Sequence, residues 1–238
     1  MTDTIPALAG PLPEEVAIVG GGGQIASMLA ELLVRDGVRV RSILRSDARA
    51  GSLRALGAEP VVCDIEREDA DGLADAFADA DAVVFAAGAG PGSGAARKRT
   101  VDRDGSVKSA DAALLSGAMR FVQISFIGAQ APTPEGTEEV FAAYWDAKRE
   151  ADEVLRSKAL DWTVVRPGGL LDGPATGRGA ISFEPLQRGV KTRRADVAHA
   201  IRLVLADQRT VWRDLDVVEG EAPLDRALDA ALDAAGIR

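Results

Sequence analysis

Short apolar runs alternate with amphipathic segments along this chain. The runs are Val16–Val19, Val38–Leu44, Pro60–Cys63, Ala82–Ala87, Phe121–Ser125 and Trp162–Val165. Their near-continuous hydrophobicity suits strands covered on both faces. Between them apolar residues recur at helical spacing, as in Ile25, Leu29, Leu32 and Leu33, in Leu73, Ala76 and Phe77, in Val107, Leu114 and Leu115, and later in Val154 and Leu155. Strand and helix in regular alternation predict an α/β protein, a doubly wound parallel sheet with helices on both faces.

Beyond Pro167 the texture changes. GGLLDGPATGRGAIS reads as a long binding loop rich in Gly and Pro. Asp196 is placed to cap a helix carrying Val197, Ile201, Val204 and Leu205. A strand near Val211–Val218 and a last helix with Leu224, Leu228 and Leu232 complete the pattern. The expected organisation is an N-terminal arm over residues 1–14 and one domain over residues 15–238, with elements within 167–238 forming a small cap over a small pocket.

Composition narrows the chemistry. The 238 residues are 47 % hydrophobic and 27 % charged, ordinary globular stock that can bury a full core. With 28 basic and 37 acidic residues the net charge is −9, a sign that repels phosphate backbones and anionic lipid. The expected partner is therefore a small molecule, not nucleic acid or a membrane. One cysteine excludes an internal disulfide and fits a reducing compartment. One cysteine and one histidine leave too few soft ligands for a typical zinc site, so no metal is expected. A Ser-His-Asp triad would need His199, and no Gly-x-Ser-x-Gly turn supplies a nucleophile; the nearest match, GPGSGAA, has Gly directly before Ser93. The opening MTDTIPALAGPLP has no basic leader or apolar stretch, and the run Ala82–Ala96 is broken by Gly and Pro. Both point to a cytoplasmic protein.

The first apolar run leads straight into Gly20-Gly-Gly-Gly23-Gln-Ile-Ala26 and then a helix. A glycine turn in that context is the arrangement that binds a dinucleotide. Gly20 permits the turn, Gly23 lets the backbone approach a pyrophosphate, and Ala26 allows close helix–strand packing. Gly22, Gly23, Gln24 and Ile25 stand at the helix N-terminus, where amides and the positive dipole end hold phosphates. An NAD site usually offers an acid at the end of the second strand for the ribose diol. Here that place reads RVRSILRS, with no acid, and Arg45 and Ser46 are positioned for a 2′-phosphate. A charge-assisted bond of that kind is worth about 1.5–3 kcal/mol. NADP is the expected cofactor, with NAD as the alternative. Asp64 and Ile65 follow the third strand, for the adenine, and Ala86, Ala87 and Gly88 keep the end of the fourth strand clear for the cofactor ribose.

The only tyrosine, Tyr144, has Lys148 four positions later in FAAYWDAKREADEVL. On a helix these share a face. An ammonium there lowers a phenol's pKa and suits it to shuttle a proton; an aromatic packed beside a solvated lysine fits the spacing equally.

From about residue 15 to residue 220 the chain resembles the short-chain dehydrogenase/reductase family, in its compact atypical, epimerase-like branch. The resemblance is carried by IVGGGGQIA, LRS, CDIE, FAAGAG, VDRDGSVKSADAA, FVQISFIGA, the Tyr144–Lys148 pair, VVRPGGLLDGPATGR and RRADVAHAI, in that order. It implies a Rossmann fold with a small C-terminal cap. It also implies Tyr144 as general acid/base, Lys148 as ribose ligand and tyrosine activator, and Ser125 as the residue that polarises the substrate oxygen. Phe126 follows where relatives often carry a second hydroxyl. Asp102 stands in place of the family's asparagine, adding charge and removing an amide donor. Pro167, Gly168, Gly169 and Leu170 would contact the nicotinamide end, and Arg178 would meet an anionic substrate or stay solvated. His199 reads as a surface residue or core filler rather than a catalytic one, the tryptophans as packing residues, and Arg193, Arg194 and Asp196 as loop closers. The expected function is an NADP(H)-dependent oxidoreductase or epimerase transferring hydride to or from a small carbonyl or hydroxyl compound. A non-catalytic NADP(H)-binding redox sensor or regulator is the alternative. Either a monomer or a homodimer is expected, according to whether the helix around Phe141–Leu155 pairs or faces solvent.

Overall fold

The computed structural model describes residues 6–238; residues 1–5 of the expected arm lie outside the described residues. The six apolar runs become β1 (Glu15–Val19), β2 (Arg39–Leu44), β3 (Glu59–Val62), β4 (Ala82–Phe85), β5 (Arg120–Ile124) and β6 (Asp161–Pro167). Four further strands follow: β7 (Gly169–Leu171), β8 (Arg178–Ser182), β9 (Lys191–Arg193) and β10 (Arg213–Pro223). The main sheet runs β3-β2-β1-β4-β5-β6-β10-β8. All of its pairings are parallel except β10 with β8. The order reverses direction beside β1, so the carboxyl ends of β1 and β4 open a crevice.

The helices are α1 (Gln24–Arg35), α2 (Ala50–Ala55), α3 (Ala70–Ala76), α4 (Ala95–Arg97), α5 (Gly105–Ser116), α6 (Glu139–Arg156), α7 (Arg194–Leu205) and α8 (Leu224–Ala234). Between α4 and α5 the residues Lys98–Asp104 wind as a π-helix. Alternate residues of each central strand enter opposite layers. Val16 and Ile18 of β1, with Ala82 and Val84 of β4, meet Leu29 and Leu33 of α1, Val197 and Ile201 of α7, and Leu228 and Leu232 of α8. Ala17 and Val19, with Val83 and Phe85, meet Leu73 of α3, Ala110 and Ala113 of α5, and Leu155 of α6. Burial on both sides is why these strands read as unbroken apolar runs.

The segment after Pro167 departs from the expected loop. β7 pairs with β9, and β8 pairs antiparallel with β10. Gly168 marks a close crossing of backbone: a Cβ there would lie 2.4 Å from the Val190 carbonyl oxygen. Asp196 does not cap α7, which starts two residues earlier because β9 runs directly into it. Its buried carboxylate instead accepts from the backbone N–H groups of Thr176 and Gly177 and from Thr176 Oγ1 (2.9, 2.8 and 2.8 Å). It thus closes the turn ahead of β8, as Arg194 does by pairing with Asp172 at 2.7 Å.

A buried ion pair holds the next segment. Arg166 Nε donates to Asp216 Oδ1 across the β6–β10 pairing at 2.6 Å, and Asp216 Oδ2 accepts from the Leu186 backbone N–H at 2.7 Å. Removing one partner of a buried pair leaves a desolvated charge behind, at a cost of about 3–5 kcal/mol. Asp216→Ala is expected to lose stability in that range in urea unfolding, and a loss below about 1 kcal/mol would contradict the pairing.

Candidate functional site

The chain leaves β1 through Gly20, whose φ of +77° belongs to the left-handed region. The Gly20 and Gly21 N–H groups both donate to the Ile43 carbonyl of β2 (3.1 and 3.0 Å), and Gly23 N–H donates back to Gly20 at 2.8 Å. A Cβ on Gly20 would lie 2.6 Å from Ala87 Cα, and one on Gly21 would lie 2.6 Å from Ser42 Cβ. The turn is therefore wedged between β2 and the end of β4. α1 follows with Gly23 at its N-cap, no side-chain cap and no acidic residue in its first turn. Its positive end is unopposed, and this bare amide cradle fits a pyrophosphate.

A trough crosses the carboxyl edge of the sheet in two parts that share Ala86, Ala87 and Gly88. The smaller part, about 420 Å³, is lined by Gly20, Gly22, Gly23, Arg45, Ser46, Arg49, Asp64 and Ile65. The larger, about 800 Å³, is lined by Ile25, Lys98, Asp102, Ser125, Tyr144, Lys148, Arg188 and Pro167 through Leu170, among others. Sequence-predicted site residues thus line one trough, with two exceptions. Gln24 is exposed and its amide reaches Asp172 at 3.5 Å. Arg178 lies on β8, where its guanidinium donates to the Glu221 carbonyl, because β8 is an edge strand rather than part of a loop folded over the trough. His199 is buried on α7, outside the trough.

The 800 Å³ end concentrates buried charge. Lys148 is 4 % exposed; its Nζ donates to the Ile124 carbonyl at 2.9 Å and lies 3.8 Å from Asp102 Oδ1. Asp102 Oδ2 accepts from the Ala89 N–H at 3.1 Å, fixing the loop after β4. The π-helical turn buries both Lys98 and Asp102. Ser125 Oγ donates to Asp152 Oδ2 at 2.6 Å, and Gln123 donates to the other oxygen at 2.5 Å while accepting from Ser106 Oγ. Asp152 was not singled out from the sequence, although Tyr144, Lys148 and Asp152 fall at i, i+4 and i+8 on α6. Arg49, Lys98 and Arg188 were also missed. Arg49 alone had a local signal, four residues after Arg45.

The phenol is not activated in the expected sense. Burial pushes the Tyr144 pKa well above the usual tyrosine range, and the Asp102 and Asp152 carboxylates push it the same way. The Lys148 charge is balanced by Asp102 and the Ile124 carbonyl. Phe126 and Phe141 pack on the tyrosine ring at 5.1 and 5.9 Å between centroids, and Phe126 also meets Trp145 edge-on at 5.1 Å.

Burial raises the Asp152 carboxyl from its ordinary value to about 6, against the hydrogen bonds from Ser125 and Gln123 and the nearby Arg156 and Lys148. A pKa raised by folding contributes stability that is full below the unfolded value near 4 and is lost as pH rises through about 6. Asp152→Asn is thus expected to gain about 2 kcal/mol relative to the natural chain between pH 4 and 7, measured by urea unfolding at several pH values. A difference independent of pH would contradict the desolvated carboxyl.

A family model described as NAD(P)H-binding matches residues 20–208. A Bacillus subtilis protein called an uncharacterized sugar epimerase, YhfK, is 34% identical over 215 residues, covering 90% of this chain and 98% of that relative. A solved Bacillus halodurans structure, described as a candidate NAD-dependent epimerase/dehydratase, superposes with a TM-score of 0.84 at 32% identity, covering 91% of this chain and 99% of its own. A Veillonella parvula short-chain dehydrogenase/reductase in complex with NADP shares the fold, with a TM-score of 0.70 at 19% identity over 90% of this chain and 98% of that one. With its β1–α1 glycine cradle inside the matched region, the chain belongs to the NAD(P)H-binding family, among the atypical short-chain dehydrogenase/reductase and epimerase-like proteins.

Proposed function

We propose that the chain is an NADP(H)-dependent reductase or epimerase acting on a small carbonyl or hydroxyl compound. The observation that carries this reading is one trough with the guanidinium groups of Arg45 and Arg49 at one end and Tyr144, Lys148 and Ser125 at the other. Gly20, Gly22, Gly23 and Ile25 would hold the pyrophosphate, and Asp64 and Ile65 the adenine. Ala86, Ala87 and Gly88 would face the riboses, and Pro167 through Leu170 the nicotinamide end. The absence of an acid at the end of β2, with Arg45 and Arg49 lining the adenosine end, supports a 2′-phosphate. The NADP complex of the V. parvula protein of the same fold agrees with that preference.

When bound, the nicotinamide supplies or accepts the hydride. Tyr144, with its raised pKa, keeps its proton at neutral pH and so serves as a donor to a developing alkoxide. Lys148 would hold the adjacent ribose from its seat under β5. Ser125 has committed its proton to Asp152, so its lone pairs accept from a substrate hydroxyl rather than polarise a carbonyl. Asp102 holds the loop after β4 and the Lys148 ammonium, work that an asparagine amide would share differently. That substitution is what favours the alternative, a non-catalytic NADP(H)-binding sensor in which the trough binds but does not turn over.

Replacing Arg45 and Arg49 together by Ala is expected to weaken NADPH binding about 10- to 150-fold in calorimetry while leaving NADH within about twofold. Equal losses for both cofactors would overturn the 2′-phosphate assignment. Tyr144→Phe is expected to lower NADPH turnover on a panel of carbonyl compounds by about 10²- to 10⁴-fold with NADPH affinity retained. Absence of turnover in the natural chain, with NADPH bound, would favour the sensor.

A further inference from the structure

The 800 Å³ end of the trough carries a charge opposite in sign to the molecule. Two of its lining carboxylates are already engaged: Asp102 by the Ala89 N–H and Lys148, and Glu138 by the Val140 and Phe141 N–H groups at the start of α6. Arg194 is held by Asp172. Two cations remain. Lys98 is only 9 % exposed, and one of its three ammonium donors goes to the Gly90 carbonyl at 2.9 Å. Its Nζ sits 5.6 Å from the centre of the Tyr144 ring. Arg188 stacks on Trp145 at 4.2 Å and packs over Gly128. Among the described residues, neither enters an ion pair with a carboxylate.

The cavity wall beside these two cations is aromatic. Phe126 touches both the tyrosine and the tryptophan rings on which they lie, and Phe141, 43 % exposed, extends the same surface. A lysine buried to that degree beside an apolar wall is costly unless a ligand charge completes it. Its placement in a chain of net charge −9 concentrates anions at one point of the surface.

We propose that this cavity takes a planar, apolar compound carrying a carboxylate, its ring against Phe126 and Phe141 and its anionic group between Lys98 and Arg188. The inference rests on the reading of the trough as a cofactor-and-substrate site and names the substrate class for it. Lys98 and Arg188 contact the anionic group and act as specificity-determining residues. They replace Arg178, which the sequence suggested for an anion and which lies on the outer edge strand.

The test compares 2-naphthoate with its neutral isostere 2-naphthamide on the NADPH-loaded protein, by calorimetry and by Trp145-dependent fluorescence. The acid is expected to bind at least about tenfold more tightly than the amide. Lys98→Gln and Arg188→Gln are each expected to reduce that preference about tenfold, while Arg178→Gln leaves it unchanged. NADPH affinity, measured first in every variant, reports whether the cradle is intact. Equal affinity for acid and amide, no binding of the acid at millimolar concentration, or a preference unaltered in both trough variants would overturn the anion subsite. Failure of NADPH itself to bind would instead overturn the underlying reading of the trough.

Discussion

The geometry of the site depends on how closely one turn of backbone approaches its neighbours. Gly20 and Gly21 share the Ile43 carbonyl, and neither position has room for a Cβ. Holding Gly20 in the left-handed region would cost another residue about 1–2 kcal/mol before any clash with Ala87 is counted. The return is a helix N-terminus at the crevice between β1 and β4, with no side-chain cap and no acidic residue in its first turn. Ala86, Ala87 and Gly88 are small for the same reason: the turn on one side and Asp102 on the other leave no space, a Cβ on Gly88 meeting Asp102 Oδ1 at 3.0 Å.

From that constraint the electrostatics follow in sequence. Asp102 is pinned by the loop that leaves β4, and it in turn balances Lys148. One helical turn further along α6, Asp152 accepts a hydrogen bond from the Ser125 hydroxyl. Among the described residues, the two cavity cations that enter no ion pair are Lys98, buried and bonded to the Gly90 carbonyl, and Arg188, exposed and stacked on Trp145. A site organised this way is rigid where the cofactor family needs it rigid and electrostatically open at one place.

Much of this was legible in the sequence, for identifiable reasons. The six strands stood out because covering helices on both faces leave no polar positions to blur the runs, and the glycine turn stood out because sterics allow no other residue. The same signal misled beyond Pro167. Gly168 is there for close strand crossing, yet in one dimension Gly and Pro read as loop. Asp196 was visible as a turn-maker but not as a partner for Thr176, twenty residues away. Lys98, which the sequence did not single out, lies in the π-helical turn that buries it together with Asp102. Arg188 belongs to the site because Asp216 and Leu186 anchor its segment, a long-range fact with no local pattern.

Crystals soaked with NADPH would examine the assignment of the trough most directly. The account predicts the 2′-phosphate against Arg45 and Arg49, the pyrophosphate on the α1 amides, and the nicotinamide between Pro167–Leu170 and Tyr144. Density for the dinucleotide in the reverse orientation, or anywhere other than across Ala86–Gly88, would contradict it.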